Sequence, residues 1–359
     1  MTDLDHTTAP RTTAAAPDVA AATEAQGPAP IPTTMRAAVY ERYGPPEEVV
    51  SVRPVPVPGL GDDDVLVRVG AASVNALDWH LVTGLPMFAR PTLGLRGPKR
   101  RVPGADVAGV VEAVGANVTR LGVGDRVFGE VSGGGFAEFV VAPADWLVPI
   151  PEGVGIEQAA TLGVAAETAL QGLRDWGGLR PGQRVLVNGA SGGVGSFAVQ
   201  LAKALGASHV TAVCSTDNVE AARRGGADRV VDYTREDVRS LGDTFDLFFD
   251  NAGSLTLRDS RRLLAPDGTY VMVTSPKSKW LRPLPRLLSV PLFFAFGAKS
   301  APAFKVASRS RTDLELLAGL VASGQLSPVM DRRWSLADAA EALRVQGEFH
   351  ARGKSLVIP

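Results

Sequence analysis

Two short stretches hold residue types that could do chemistry. The first runs Asn188-Gly189-Ala190-Ser191-Gly192-Gly193-Val194-Gly195, and from Ala190 it reads A-x-G-x-x-G. It lies between an apolar run, Arg184 to Asn188, and an amphipathic stretch, Val194 to Leu205. In that setting glycines let backbone approach a phosphate and leave the first N–H groups of a helix free to bind it. Gly192 would admit a pyrophosphate, Gly195 would let the helix pack close to the strand, and Ser191, Gly193 and Val194 complete the loop. The second stretch holds Asn75, Asp78 and His80. An amide N–H₂ can donate to a developing oxyanion, or an Asn can simply stabilise a turn. Asp78 is better suited to ordering that loop than to moving protons.

The elements that must position these residues differ between the two halves. Met35 to Tyr40, Asp64 to Gly70, Asp106 to Val114, Asp125 to Glu130 and Gly135 to Ala142 read as short strands divided by glycine turns. Strands at that spacing suggest a partly closed β-barrel. From Gln183 onward, strands and helices alternate. Strands are expected at Arg184 to Asn188, His209 to Cys214, Arg229 to Asp232, Phe245 to Asp250 and Thr269 to Thr274, with a sixth at Phe304 to Ala307. Helices are expected at Val194 to Leu205, Asn218 to Arg224 and Asp313 to Ala322. That alternation predicts a doubly wound parallel sheet. A helix from Ser335, a turn and a strand from Lys354 close the chain.

Composition excludes several classes of function. The 359 residues suit about two domains. Lys and Arg number 37 against 38 Asp and Glu, which leaves no basic footprint for nucleic acid. Cys214 is the one cysteine, so a disulfide framework and a four-cysteine zinc lobe are excluded. Residues 1–34 hold mostly Ala, Thr and Pro without aromatics and read as a disordered tail. That tail has neither the apolar core of a secretory signal nor the Arg-rich, acid-poor character of a mitochondrial presequence, so a cytoplasmic location is expected. The apolar run Leu287 to Ala298 is too short to cross a membrane, which takes about 20 residues, and reads as a buried helix or a subunit contact.

Further segments carry a resemblance: Val74 to His80, Val102 to Gly109, Gly122 to Val127, Gly189 to Gly195, Val231-Asp232-Tyr233 and Gly347 to Lys354. Over residues 35–359 the chain resembles the medium-chain dehydrogenase/reductase superfamily, and within it the zinc-independent quinone oxidoreductase branch. The resemblance implies an α/β fold: a GroES-like β-barrel catalytic domain plus a Rossmann doubly wound parallel-sheet domain. The expected limits are a tail at 1–34, the catalytic domain at 35–160, the dinucleotide-binding domain at 161–308, and a segment at 309–359 returning to the catalytic domain.

Where zinc-bearing relatives place a Cys and a His on the metal, this sequence has Asn75 and Ala105, with Asp106 in place of the next Glu. No metal is therefore expected. Asn75 becomes the candidate catalytic residue, as an oxyanion donor or substrate contact. The resemblance also assigns cofactor contacts to Thr168, Tyr233 and Asn251, and to His350, Ala351 and Arg352 of the C-terminal motif. Glu167 is an unusual residue in its segment.

NADPH is expected over NADH. NAD-specific folds end the second strand with an acidic residue that bonds the ribose 2′-OH. Here that strand ends at Cys214, followed by Ser215 and Thr216, whose hydroxyls could bond a 2′-phosphate. Asp217 is the complication, since it could cap the next helix or turn toward the ribose. The resemblance implies hydride transfer to a small-molecule quinone or α,β-unsaturated carbonyl, and a homodimer with contacts at the fifth strand and Leu284 to Phe296. Alternatives are a zinc-independent alcohol dehydrogenase-like enzyme and a non-catalytic NADPH-binding protein.

Overall fold

The computed structural model describes residues 30–87, 90–95, 97–273, 289–290, 293–294, 299–302, 305–348 and 351–359. The chain divides into Met1–Ile31 and Pro32–Pro359. Of the first unit only Pro30 and Ile31 are described, and every described strand and helix belongs to the second. The expected tail, most of Leu287 to Ala298, and His350 lie outside the described residues.

In chain order the first strands are β1 (Thr34–Val39), β2 (Ser51–Pro56), β3 (Asp64–Val74), β4 (Asp106–Val114), β5 (Arg126–Glu130), β6 (Phe139–Pro143) and β7 (Leu147–Pro149). Five more come in the second half of the chain: β8 (Arg184–Asn188), β9 (His209–Cys214), β10 (Arg229–Asp232), β11 (Phe245–Asp250) and β12 (Leu264–Met272). The last two are β13 (Met330–Ser335) and β14 (Lys354–Ile358).

β8 to β12 form a five-stranded sheet in the order β10-β9-β8-β11-β12, every pair parallel. The interior residues Val185, Leu186 and Val187 of β8 are fully buried, as expected of a strand covered on both faces. Strand order reverses between β8 and β11, so their C-terminal ends open the crevice in which this topology holds its ligand. The sixth strand expected at Phe304 to Ala307 does not form: Lys305–Ala307 is irregular, and Phe304 is outside the described residues. A single parallel bridge, Thr269 to Ser300, extends the sheet instead. Pro302 has no N–H with which to continue that ladder.

The second sheet has the order β13-β14-β3-β4-β5-β7, with β6 on β3. Eleven-residue β3 shares one edge between two partners: Asp64–Arg68 face β6, and Ala72–Val74 face β14. Its other edge faces β4 throughout. The chain thus returns at its end to the strand that precedes Asn75, and Ser355 pairs with Val74. Between the two sheets lies a helical stretch, Leu162–Trp176, that propensity does not reveal. It contains two π-helical turns, Leu162–Ala166 and Gly172–Trp176, around the α-helix Glu167–Gln171.

Candidate active site

The glycine loop is shaped by close approach. Gly189 has φ +79°, a conformation that L side chains rarely adopt. A Cβ on Gly195 would stand 2.0 Å from the carbonyl oxygen of Gly189, so only glycine lets the helix Gly193–Ala204 start this near β8. Gly192 is different: a Cβ there would meet only Asn251 Nδ2 at 3.7 Å and Gly189 O at 3.9 Å. The space above it is open, and it leads into the helix N-terminus. A cleft of about 750 Å³ continues from Ser191 along Cys214 and Tyr233 to Ala252. A helix start, an open glycine and an adjoining cleft fit the pyrophosphate and adenosine of a dinucleotide.

The other expected cofactor contacts are distributed around this cradle. Tyr233 is 58% exposed and lines the cleft. Asn251 Nδ2 donates to Gly189 O at 3.5 Å, bracing the loop. The Thr168 hydroxyl donates to the Val164 carbonyl at 2.5 Å. Ser215 Oγ accepts from Asn218 Nδ2 at 2.8 Å and keeps its own hydrogen. Thr216 has no such freedom, because its hydroxyl donates to Asp232 Oδ2 at 2.6 Å. Asp217 caps no helix; its Oδ2 is paired with Arg352 Nη2 at 2.7 Å. Ala351 precedes that arginine on the loop whose Gly353 N–H donates to Ser191 O at 2.8 Å.

The second constellation is built on Asn75, at the end of β3. Asp78 is fully buried and orders the turn as expected: it accepts N–H bonds from Asn75, Gly104 and Ala105 at 2.9, 3.0 and 3.0 Å. Burial pushes its carboxyl up to about 7, against the pull of those donors. His80 is held apart, with Nδ1 at 2.8 Å from Leu85 O. The Asn75 amide does not stand free. Its Nδ2 donates to Asp106 Oδ2 at 2.8 Å, and its Oδ1 accepts from the Lys354 ammonium. Asp106 also accepts from Ser73 Oγ at 2.8 Å and from Val164 N at 2.9 Å. A Cβ on Gly163 would stand 2.1 Å from Asp106 Oδ1, so glycine there is what admits the carboxylate to the kinked helix.

Sequence reasoning gives Lys354 no role in the site. It is 2% exposed, and its Nζ lies 3.7 Å from Asp106 Oδ2. Burial pulls its ammonium downward, while Asp106 and Asp78 oppose that. Its stem passes the glycine loop: a Cβ on Gly193 would be 3.0 Å from Lys354 Cδ. One side chain therefore touches the cofactor cradle and the Asn75–Asp106 pair. A basic residue at the head of the last strand is the available signal.

A separate cleft of about 400 Å³ lies beside Ala105, lined by Leu77, Leu81, Arg100, Glu130 and Arg309 among others. Glu130 is paired with Arg309 at 3.4 Å, and Arg309 lies over the Trp146 ring at 3.7 Å. Burial pushes the Glu130 carboxyl up to about 7. Glu167 is fully buried; its Oε1 accepts from Ser310 N at 2.7 Å, and among the described residues its Oε2 has no hydrogen-bond partner. Burial lifts it to about 8.

Comparison with known proteins agrees with this architecture. Residues 61–152 match the alcohol dehydrogenase GroES-like domain, and residues 225–357 match the zinc-binding dehydrogenase family. A chloroplast envelope quinone oxidoreductase homolog of Arabidopsis thaliana is 34% identical over 343 residues, covering 90% of this chain and 98% of that protein. The chain belongs to the medium-chain dehydrogenase/reductase superfamily, in its quinone oxidoreductase-like branch. An NADPH-dependent alkenal/one oxidoreductase of the same plant is 32% identical, covering 96% of this chain and 85% of that protein. The solved quinone oxidoreductase from Coxiella burnetii superposes with a TM-score of 0.80 at 27% identity, covering 91% and 99%.

Zinc-bearing members of this superfamily place metal ligands where this chain has Asn75 and Ala105. The residues present do not fit zinc. Ala105 has no donor atom, and the Asn75 oxygen is held by an ammonium, which would repel a cation. Among the described residues no group of three or more His, Cys, Asp or Glu could hold a metal ion. Among those residues, too, no helix is long and apolar enough to cross a membrane.

Proposed function

We propose that this member of the superfamily is a zinc-independent reductase that uses NADPH to reduce a quinone or an α,β-unsaturated carbonyl. The observation that carries the reading is the Asn75–Asp106–Lys354 network, which fills the metal position with a protein cation beside a substrate-sized cleft. The names of the Arabidopsis relatives support the substrate class and the nucleotide.

When bound, the nicotinamide supplies the hydride. The chain supplies position and charge. Ser191 to Gly195 and the helix N-terminus bind the phosphates. Lys354 keeps Asn75 and Asp106 fixed at the floor of the site, and its buried positive charge favours the electron density that gathers on an enolate or hydroquinone oxygen. Asn75, with its amide nitrogen committed to Asp106, acts in this reading by holding the ammonium rather than by donating to substrate. The 2′-phosphate preference is supported by uncharged Cys214, by the free hydrogen of Ser215 and by Arg352, which neutralises Asp217.

The two-sheet division supports domain limits of 35–160, 161–308 and 309–359, and resemblance supports a homodimer built across the β12 edge. The direct test of function is NADPH oxidation with 1,4-benzoquinone and with an enone. Turnover above the uncatalysed rate supports the reading, and tight NADPH binding without turnover on any acceptor makes the chain a binding protein instead. Light scattering tests the dimer, which a monomer at assay concentration would overturn.

A further inference from the structure

We propose that Glu130 is the proton donor of the reductive half-reaction, delivering its carboxyl proton to the substrate that receives the hydride. The inference rests on the reductase reading above and adds the missing acid.

Three placements lead to it. Glu130 is the last residue of β5 and stands directly across from Asp106 of β4, which carries the Asn75 pair. Opposed residues of an antiparallel pair project to the same face. Glu130 also lines the 400 Å³ cleft together with Ala105, next to Asp106 of the Asn75 pair. Its side chain is 17% exposed, so it reaches that cleft while staying mostly shielded from water. Among the described residues its Oε2 has no hydrogen-bond partner, and Oε1 has only the long contact with Arg309. Asp78, Asp106 and Lys354 are closed off: each is buried, with its polar atoms bonded to protein. Glu130 is the carboxyl left facing the space a substrate would occupy.

The charged surroundings favour a held proton. Burial is the main push on Glu130, and the negative charge of Asp106 and, behind it, of Asp78 adds to it. Arg309 opposes them from the chain preceding the helix Arg311–Ala322, and Lys99 and Arg100 line the same cleft. The carboxyl is consequently pushed up to about 7, where an acid is most useful at neutral pH.

The step balances without a further reactant. With an enone, the β carbon gains the hydride as a new C–H bond, and the π pair moves toward the carbonyl oxygen. The α carbon then takes the Glu130 proton as the C=C becomes a C–C single bond. With a quinone, one carbonyl oxygen takes the hydride as a new O–H bond, the ring π electrons shift to leave the other oxygen as a phenolate, and that oxygen takes the Glu130 proton. The carboxylate is reprotonated by water entering the cleft, and one NADPH and one solvent proton are consumed per turnover.

The test uses the full chain with an enone that gains a stereocentre at its α carbon. Glu130→Gln keeps the shape and removes the proton. Its kcat is expected to fall about 100-fold, with NADPH affinity by fluorescence titration unchanged. Wild-type kcat is expected to decline as pH rises through about 7, the carboxyl losing its proton, and the variant is expected to lack that limb. In D₂O the wild type should deliver α-deuterium to one face, and the variant should give both. Glu130→Asp is expected to recover part of kcat and the single-face delivery. A Glu130→Gln enzyme that retains kcat, the pH limb and single-face deuteration overturns the proposal while leaving the reductase reading intact. Absence of turnover in the wild type overturns both.

Discussion

The Lys354 ammonium donates to Asn75 Oδ1 and stands 3.7 Å from Asp106 Oδ2, joining the first residue of the last strand to the residue that follows the long β3 strand. Lys354 and Asn75 are 279 positions apart in sequence. They meet because β14 pairs with β3 so that Ser355 faces Val74.

Lys354→Met should expose the worth of that meeting. It removes one partner of a buried charge pair and leaves the Asp106 carboxylate behind, a loss of about 3 kcal/mol. Urea unfolding measures it. Adding Asp106→Asn should recover part of the loss, because the stranded charge is then gone. Additive losses would mean that the two side chains do not sense each other.

Gly192→Val and Gly195→Val separate room for ligand from room for backbone. The Gly192 side chain would enter open space, so that variant should unfold at nearly the wild-type temperature yet lose NADPH binding. The Gly195 side chain would collide with Gly189 O and Ala190 Cα, so that variant should lose stability outright. Wild-type NADPH affinity in a folded Gly192→Val protein would mean that the loop does not hold the phosphates.

The glycine loop is legible in sequence because its signal is local: strand, turn and helix succeed one another within about 20 residues. The Asn75 loop is legible through resemblance, and the role of Asp78 within it through residue type. Lys354 and Glu130 are not, because a single lysine or glutamate in sequence gives no sign of burial, and both acquire their meaning from strand pairings distant in the chain. The π-helical turns at Leu162–Ala166 and Gly172–Trp176 lack a propensity signature of their own. The sixth strand expected from the strand–helix alternation fails beside Pro302, a residue that counts against continuing the ladder.

Glu167 predicts a pH dependence of stability. Its carboxyl is lifted from 4.5 to about 8 in the fold, so the folded protein keeps a proton that the unfolded chain has released. Its contribution therefore declines as pH rises from about 4.5 to about 8, with a slope approaching roughly 1 kcal/mol per pH unit. Glu167→Gln should match the wild type near pH 5 and exceed it near pH 9 in urea unfolding. A constant difference across that range would mean that Glu167 stays charged in the fold.

Nucleotide choice should turn on the end of β9. The wild type is expected to favour NADPH over NADH at least tenfold in kcat/KM, the worth of about one charge-assisted hydrogen bond. Ser215→Asp places a carboxylate against the 2′-phosphate and should narrow or reverse that ratio. An unchanged ratio would remove Ser215 from the phosphate site.

In the proposed reductase the lysine–asparagine–aspartate network takes the place of a metal, so turnover should not need zinc. The most direct measurement is NADPH oxidation with 1,4-benzoquinone by protein dialysed against a chelator, with zinc determined on the same sample. Undiminished turnover at far less than one zinc per chain is the expected result. Stoichiometric zinc that survives dialysis, or activity that disappears with the metal and returns with added zinc, would contradict it.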